Sequence, residues 1–131
     1  MDYIFSEIEK KWQEHWKEIN LANCDVSLDK NNFYNLCMYP YPSGDLHMGH
    51  VRNYTIGDVI TRYKQKQGFN VLSPMGWDSF GLPAENAAIQ TGIHPKKFTE
   101  ERINNMRDQI QRLGSLYDWN KEVAAHDKNY Y

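Results

Sequence analysis

Apolar residues recur at steps of three and four near the start of the chain: Phe5, Ile8, Trp12, Trp16 and Ile19, separated by lysines and glutamates. That period gathers them on one face of a helix. A leading amphipathic helix is therefore expected within residues 1–22, beginning at Asp2 or behind a Ser6–Glu9 capping box, with Trp12 and Trp16 as core anchors. Asn23 to Asn32 is polar and turn-rich, a connector. From Phe33 to Tyr39 the pattern becomes a short apolar run closed by Pro40, which predicts a buried strand. The run Pro40-Tyr41-Pro42-Ser43-Gly44-Asp45 admits neither helix nor ladder. A second helix is expected from about His47 to Gly68, with Ile56, Val59, Ile60 and Tyr63 as its buried stripe.

Asn70-Val71-Leu72 predicts a second short strand, and Pro74 to Pro83 a turn-rich stretch. Pro83 suits the first position of a further helix. From Pro95, the residues Ile103, Met106, Ile110 and Leu113 mark a long helix stopped by Gly114. Glu122 to Ala125 predicts one more strand, and Asp127 a cap for the segment after it. Strand and helix in alternation define an α/β chain with parallel strands and crossover helices. Ligands of such sheets sit beyond the carboxyl ends of the strands. The loops 40–45 and 74–83 both leave strands there and are expected to face one crevice.

A length of 131 residues supports one domain with a real core. Fifteen basic residues against seventeen acidic ones leave a formal charge of −2, no footprint for gripping a polyanion unaided. Cys24 and Cys37 make no disulfide framework. The acidic start, Met1 to Glu7, has neither the apolar run of a secretory signal nor the arginines of a transit peptide. No apolar stretch has membrane-spanning length, so a soluble, reducing, cytoplasmic setting is expected.

The chemistry concentrates in His47-Met48-Gly49-His50. Two histidines three apart share a helix face. At a helix N-terminus their ring N–H groups would join unpaired backbone N–H groups and the positive end of the dipole, a setting suited to phosphate oxygens. Gly49 leaves room for a base or phosphate to approach the backbone. Taken alone, the pair also fits a surface or capping role. A zinc set of Cys24, Cys37, His47 and His50 lacks the C-x-x-C spacing of structural zinc, and no metal site is expected. Asp58 and Arg62, at i and i+4, suit an ion pair rather than chemistry. His15, His94 and His126 have no partner identifiable from spacing.

The run from Met38 to Tyr54, MYPYPSGDLHMGHVRNY, resembles the leucyl-tRNA synthetases, particularly of bacterial type. The resemblance continues through Gly57-Asp58-Val59 and through Pro74 to Ala88, PMGWDSFGLPAENAA, and more weakly to Tyr117-Asp118-Trp119 and Tyr130-Tyr131. Two long matches at family spacing are far more specific than the histidine turn.

The resemblance implies a partial Rossmann-like nucleotide-binding fold. It implies ATP held by His47, Gly49 and His50, with the two histidines catalytic in forming leucyl-adenylate. Met38, Tyr39, Tyr41 and Asp78 match positions that bind the amino acid, Asp78 pairing with its ammonium group. Mg²⁺ is expected with ATP, and tRNA(Leu) mainly through parts absent from these residues. The family's second ATP motif, editing domain and anticodon-binding region find no counterpart here. Residues 33–131 are thus expected to be the first half of the nucleotide-binding fold, and the chain a fragment. Two alternatives stay open: a non-catalytic remnant binding a nucleotide or a protein, and a small nucleotidyltransferase sharing the histidine turn.

Overall fold

A computed structural model describes residues 3–27 and 29–130, Ala84 as backbone only. A helix start at Asp2 and the match at Tyr131 lie outside the described residues. The elements in order are α1 (Phe5–Glu18), β1 (Asn32–Tyr34), α2 (Met48–Lys66), β2 (Asn70–Leu72), β3 (Pro74–Trp77), α3 (Leu82–Thr91), α4 (Pro95–Leu113) and β4 (Asp118–Ala124). Strand β1 pairs in parallel with β2, and β3 pairs in parallel with β4. Helix α2 connects the first pair; α3 and α4 connect the second. Ser73 alone separates β2 from β3, and its carbonyl accepts the Asp118 N–H at 2.9 Å, so the two pairs are joined through one extended segment.

Strand β3 replaces the turn-rich stretch expected from Pro74. Proline is tolerated as the first residue of a strand, where its missing N–H need not serve the ladder. Gly76, which reads as a turn residue, is there for room: a Cβ at this position would run into the Tyr39 ring. All four residues of β3 are buried. Strand β4 likewise starts earlier than expected, at Asp118, whose buried carboxylate accepts the Cys24 and Asn120 N–H groups.

The strand expected over Phe33 to Tyr39 pairs only as far as Tyr34. The chain continues with Asn35 and Cys37 buried and with Leu36 and Met38 exposed, the alternation of an extended segment. The buried Asn35 amide is satisfied: its Nδ2 donates to the Gly57 carbonyl and to Thr61 Oγ1, both at 2.8 Å.

Those two contacts explain why α2 turns a different face inward from the one its apolar periodicity suggests. Its buried residues are Tyr54, Gly57 and Thr61, whereas Ile56, Val59, Ile60 and Tyr63 are exposed. Small and hydroxyl-bearing positions let the helix backbone come close to Asn35 and Cys37, and larger aliphatic residues do not fit there. Tyr54 enters the main core with Cys37, Met75, Trp77, Ile103, Met106, Ile110 and Tyr117. Helix α4 follows expectation, burying Phe98, Ile103, Met106 and Ile110 and ending in left-handed Gly114, although Leu113 stays largely outside.

Helix α1 is peripheral. It buries no residue, its N-cap is Ile4 with no side-chain hydrogen bond, and the Ser6–Glu9 box does not form. Trp12 is 48% exposed, so it is not a core anchor. Trp16 is half-buried beneath the Arg62 guanidinium, 4.7 Å from its ring centroid. The Asp58–Arg62 pair does more than decorate a surface. Arg62 Nε meets Asp58 Oδ2 at 2.7 Å and Nη2 donates to the Gly114 carbonyl, while Asp58 Oδ1 accepts the Leu116 N–H. The pair ties α2 to α1 and to the end of α4.

A Cβ on Gly57 would collide with the Cys37 thiol. Gly57→Ala is predicted to destabilise the fold by about 1–3 kcal/mol, overpacking outweighing the better helix propensity of alanine. Adding Cys37→Ala should recover part of that loss. Urea unfolding of the two single variants and the double variant measures the coupling.

Candidate functional site

Helix α2 begins with an N–H problem common to all helices, and solves it with imidazole. His47 is the N-cap, in extended backbone geometry. Its Nδ1 accepts the Gly49 N–H at 3.1 Å, while the His47 N–H donates back to His50 Nδ1 at 3.2 Å. This is a capping box in which both side chains are histidine. The rings lie 3.9 Å apart, centroid to centroid, tilted by 35°. Because each Nδ1 lone pair is used as an acceptor, the neutral rings carry their protons on Nε2. Both Nε2–H groups are thus available as donors.

The arrangement corrects one expectation. The Gly49 N–H is bonded to the His47 ring and the His50 N–H to the His47 carbonyl at 2.9 Å, so these backbone groups are not waiting for a ligand. The donors on offer are the imidazoles. Gly49 also has a more specific reason to be glycine: a Cβ there would stand 2.9 Å from Cε1 of the His47 ring and push it from its seat.

Burial, and secondarily the neighbouring His47, hold the His50 imidazole below its ordinary value. Its ring stacks on Tyr54, one turn further along, at 5.9 Å and 21°. Tyr54 is fully buried, which raises its phenol well above the ordinary value, and its O–H points to the Met38 carbonyl at 3.5 Å. The histidine turn is thereby linked to the end of the β1 segment.

That segment is linked in turn to the loop after β3. The half-buried Tyr39 ring lies on Gly76, and the Pro40 carbonyl accepts the Asp78 N–H at 3.1 Å. The two loops expected to share a crevice do meet. Met38 and Tyr41 have their side chains in the open, 71% and 52% exposed. The Asp78 carboxylate is half-buried and makes no ion pair with the described residues. Among the described residues no hydrogen bond or ion pair joins Asp78 to His47 or His50; residues 38–40 link the two through the contacts just described. The loop before His47 is anchored to α4, where Gln109 Oε1 accepts the Leu46 N–H at 2.9 Å and Asn105 Nδ2 donates to Asp45.

The three histidines without an assigned partner acquire one. His15 lies 3.8 Å from Glu18, and His94 caps α4 by accepting the Lys96 N–H. His126, in the turn after β4, has its Nδ1 2.6 Å from the buried hydroxyl of Ser79, the neighbour of Asp78. No local spacing signals this pair, since 47 residues separate the two. Only the side-by-side ends of β3 and β4 bring them together. Among the described residues, no group of three or more His, Cys, Asp or Glu could hold a metal ion, and no helix is long and apolar enough to cross a membrane.

The family described as tRNA synthetases class I (I, L, M and V) matches residues 11–131. The chain belongs to the class I tRNA synthetases. Within that class its similarity is to leucine–tRNA ligases. It is 57% identical over all 131 residues to that of Nitratidesulfovibrio vulgaris (strain DP4), and 59% identical over 99% of its length to that of Fusobacterium nucleatum. Among solved structures it superposes on the agnB2 LeuRS of Agrobacterium radiobacter K84, a ternary complex with tRNA and LeuAMS. The TM-score is 0.94 and the identity 46%, covering 98% of this chain. A methionyl-tRNA synthetase of Mycobacterium tuberculosis, solved with methionyl-adenylate, shares the fold over 76% of this chain at TM-score 0.72 and 22% identity. The fold is therefore part of the Rossmann-like catalytic domain of this class. The chain spans 16% of the N. vulgaris relative and 15% of the F. nucleatum one.

The capping box makes a pH prediction. His50 is neutral in the folded state at pH values where the unfolded chain already binds a proton, so its contribution is intact above its ordinary 6.5 and is lost as pH falls below it. Protonating Nδ1 would also break the bond from the His47 N–H. Glutamine at this position can accept the same N–H without titrating. Between about pH 7.5 and 5.5, wild type is predicted to lose more stability in urea than His50→Gln does. Parallel pH profiles would contradict this origin.

Proposed function

We propose that this chain contributes the leucine-activating site of a leucine–tRNA ligase, with His47, Gly49 and His50 holding ATP. The observation that carries the reading is the reciprocal histidine cap, which fixes both rings with Nε2–H directed away from the helix backbone. Donors held in position before charge develops stabilise a transition state without reorganising during the step. In leucine activation the carboxylate oxygen of leucine attacks the α-phosphorus of ATP, and the bond to the bridging oxygen breaks to release pyrophosphate. The attacking group is already an anion, so neither a general base nor a covalent nucleophile is required of the protein. Its tasks are alignment and charge stabilisation.

Asp78 is assigned to the leucine ammonium group. Half-buried and without an ion-pair partner among the described residues, its carboxylate can pair with a cation where local dielectric is lower than in water. Met38, Tyr39 and Tyr41 are assigned to leucine itself. Tyr39 is the fixed member, seated on Gly76, while Met38 and Tyr41 present apolar surface at the open edge. A pocket of this kind separates aliphatic side chains differing by one methylene by only about 1–3 kcal/mol.

Residues 33–131 are read as the first half of the nucleotide-binding fold, with 1–22 as a leading helix outside it. Mg²⁺ enters with ATP as part of the substrate, held by phosphate and water oxygens. The tRNA is assigned to regions beyond these residues, in keeping with a charge of −2, and the setting to the cytoplasm.

Two substitutions test the reading in a full-length enzyme carrying this sequence, by leucine-dependent ATP–pyrophosphate exchange. His50→Ala is predicted to lower the exchange rate about 10²–10³-fold, with a much smaller change in leucine KM. Equal loss in both would count against a transition-state role. Asp78→Ala is predicted to raise leucine KM by about 10- to 100-fold, the scale of one charge-assisted hydrogen bond, with ATP binding little altered. Collapse of ATP affinity would make Asp78 structural.

A further inference from the structure

His126 occupies no motif, and nothing in the activation chemistry calls for it, yet it makes one of the shortest side-chain contacts among the described residues. Its Nδ1 is 2.6 Å from Ser79 Oγ, and its backbone N–H approaches the same oxygen at 3.4 Å. Ser79 Oγ in turn donates to the Trp77 carbonyl at 3.2 Å, which also accepts the Ala125 N–H at 3.0 Å. Counting donors, one arrangement satisfies every contact. The hydroxyl proton goes to Trp77, Nδ1–H and the His126 N–H both donate to Oγ, and each oxygen uses its two lone pairs. Ser79 is 5% exposed and His126 half-buried, so the hydroxyl at the centre of this network is largely shielded from competing water.

The position of the network gives it meaning. Asp78 and Ser79 form a two-residue step off the end of β3. On the β1 side the step is held by the Asp78 N–H on the Pro40 carbonyl. On the β4 side it is held by His126. Beside the loop lies an open groove of about 720 Å³ lined in part by Ser79, Gly81, Glu85, His94 and His126. The loop therefore borders open space on this side, and the hydrogen bond from the neighbouring turn is what holds it there.

We infer that His126 is a positioning residue for the amino-acid site: through the Ser79 hydroxyl it fixes the loop that aims the Asp78 carboxylate at the substrate's ammonium group. The role of His126 rests on the assignment of Asp78 made above, and the experiment separates the two. Amide hydrogen exchange in a full-length enzyme carrying this sequence is compared for wild type, His126→Leu and His126→Asn. Leucine removes the donor, whereas asparagine carries an amide N–H close to where Nδ1 stood.

His126→Leu is expected to speed exchange at the Asp78 amide about five- to ten-fold, the scale of one lost neutral hydrogen bond, leaving Val71 and Ile110 unchanged. His126→Asn should restore the wild-type rate. Unchanged exchange at Asp78, equal acceleration at Val71 and Ile110, or failure of asparagine to restore protection would each overturn the inference.

The second arm titrates leucine into the same full-length enzyme. His126→Leu should weaken leucine binding about ten-fold without altering ATP binding, and the loss should largely vanish in an Asp78→Asn background. Full additivity of the two substitutions would overturn the inference. If wild type binds no leucine, the assignment of Asp78 falls, and the exchange data then decide by themselves whether His126 holds the loop.

Discussion

A helix leaves its first N–H groups without intrahelical partners, and in α2 that constraint organises the functional end of the molecule. Serine, threonine or aspartate would cap the helix equally well. Imidazole differs because it can accept a backbone N–H with one nitrogen while donating with the other. His47 and His50 each spend Nδ1 on the backbone, which orients the rings and fixes the tautomers in one stroke. The local requirement for a cap and the chemical requirement for oriented donors are met by the same two bonds. The absence of a side chain at Gly49 is part of this device, since it leaves the His47 ring its seat.

From that end the structure runs as a series of short contacts. His50 stacks on Tyr54, Tyr54 reaches the Met38 carbonyl, Tyr39 lies on Gly76, and Pro40 receives the Asp78 N–H. Each joins a residue proposed to meet substrate to a buried element behind it. The core stands directly below, with Tyr54, Met75 and Trp77 all essentially inaccessible. The residues proposed to bind phosphate and amino acid thus sit on one continuous packed support rather than on independent loops.

Much of this was legible in the residue order, and the exceptions share a cause. The start of α2, the stop at Gly114 and the meeting of two strand-end loops derive from local signals: a histidine cap, a left-handed glycine, and prolines that forbid a ladder. Strand β3 was hidden because Pro74 and Gly76 are read as turn formers, whereas here one is a first strand residue and the other a space for Tyr39. The inward face of α2 was misread because its periodicity is carried by aliphatic residues that point outward, while the packed face uses Gly57 and Thr61 to approach Asn35 and Cys37. Trp12 was misread for the same reason in reverse, an apolar stripe being taken for a buried one. The Ser79–His126 contact lies beyond any pattern along the chain, since it depends on β3 and β4 being neighbours. The candidate site residues were named through the family resemblance, which rests on the loops, whereas the packing had to be read from periodicity alone.

The central claim is that the two imidazoles are held by Nδ1 and offer Nε2–H to a nucleotide. The most direct measurement is a ¹⁵N spectrum of the histidine side chains of the folded chain near neutral pH, before and after addition of ATP. His47 and His50 are both predicted to be protonated at Nε2 and bare at Nδ1, with ATP shifting those two Nε2 signals and leaving His15, His94 and His126 in place. A proton on Nδ1 of either ring, or a response to ATP confined to the other histidines, would contradict it.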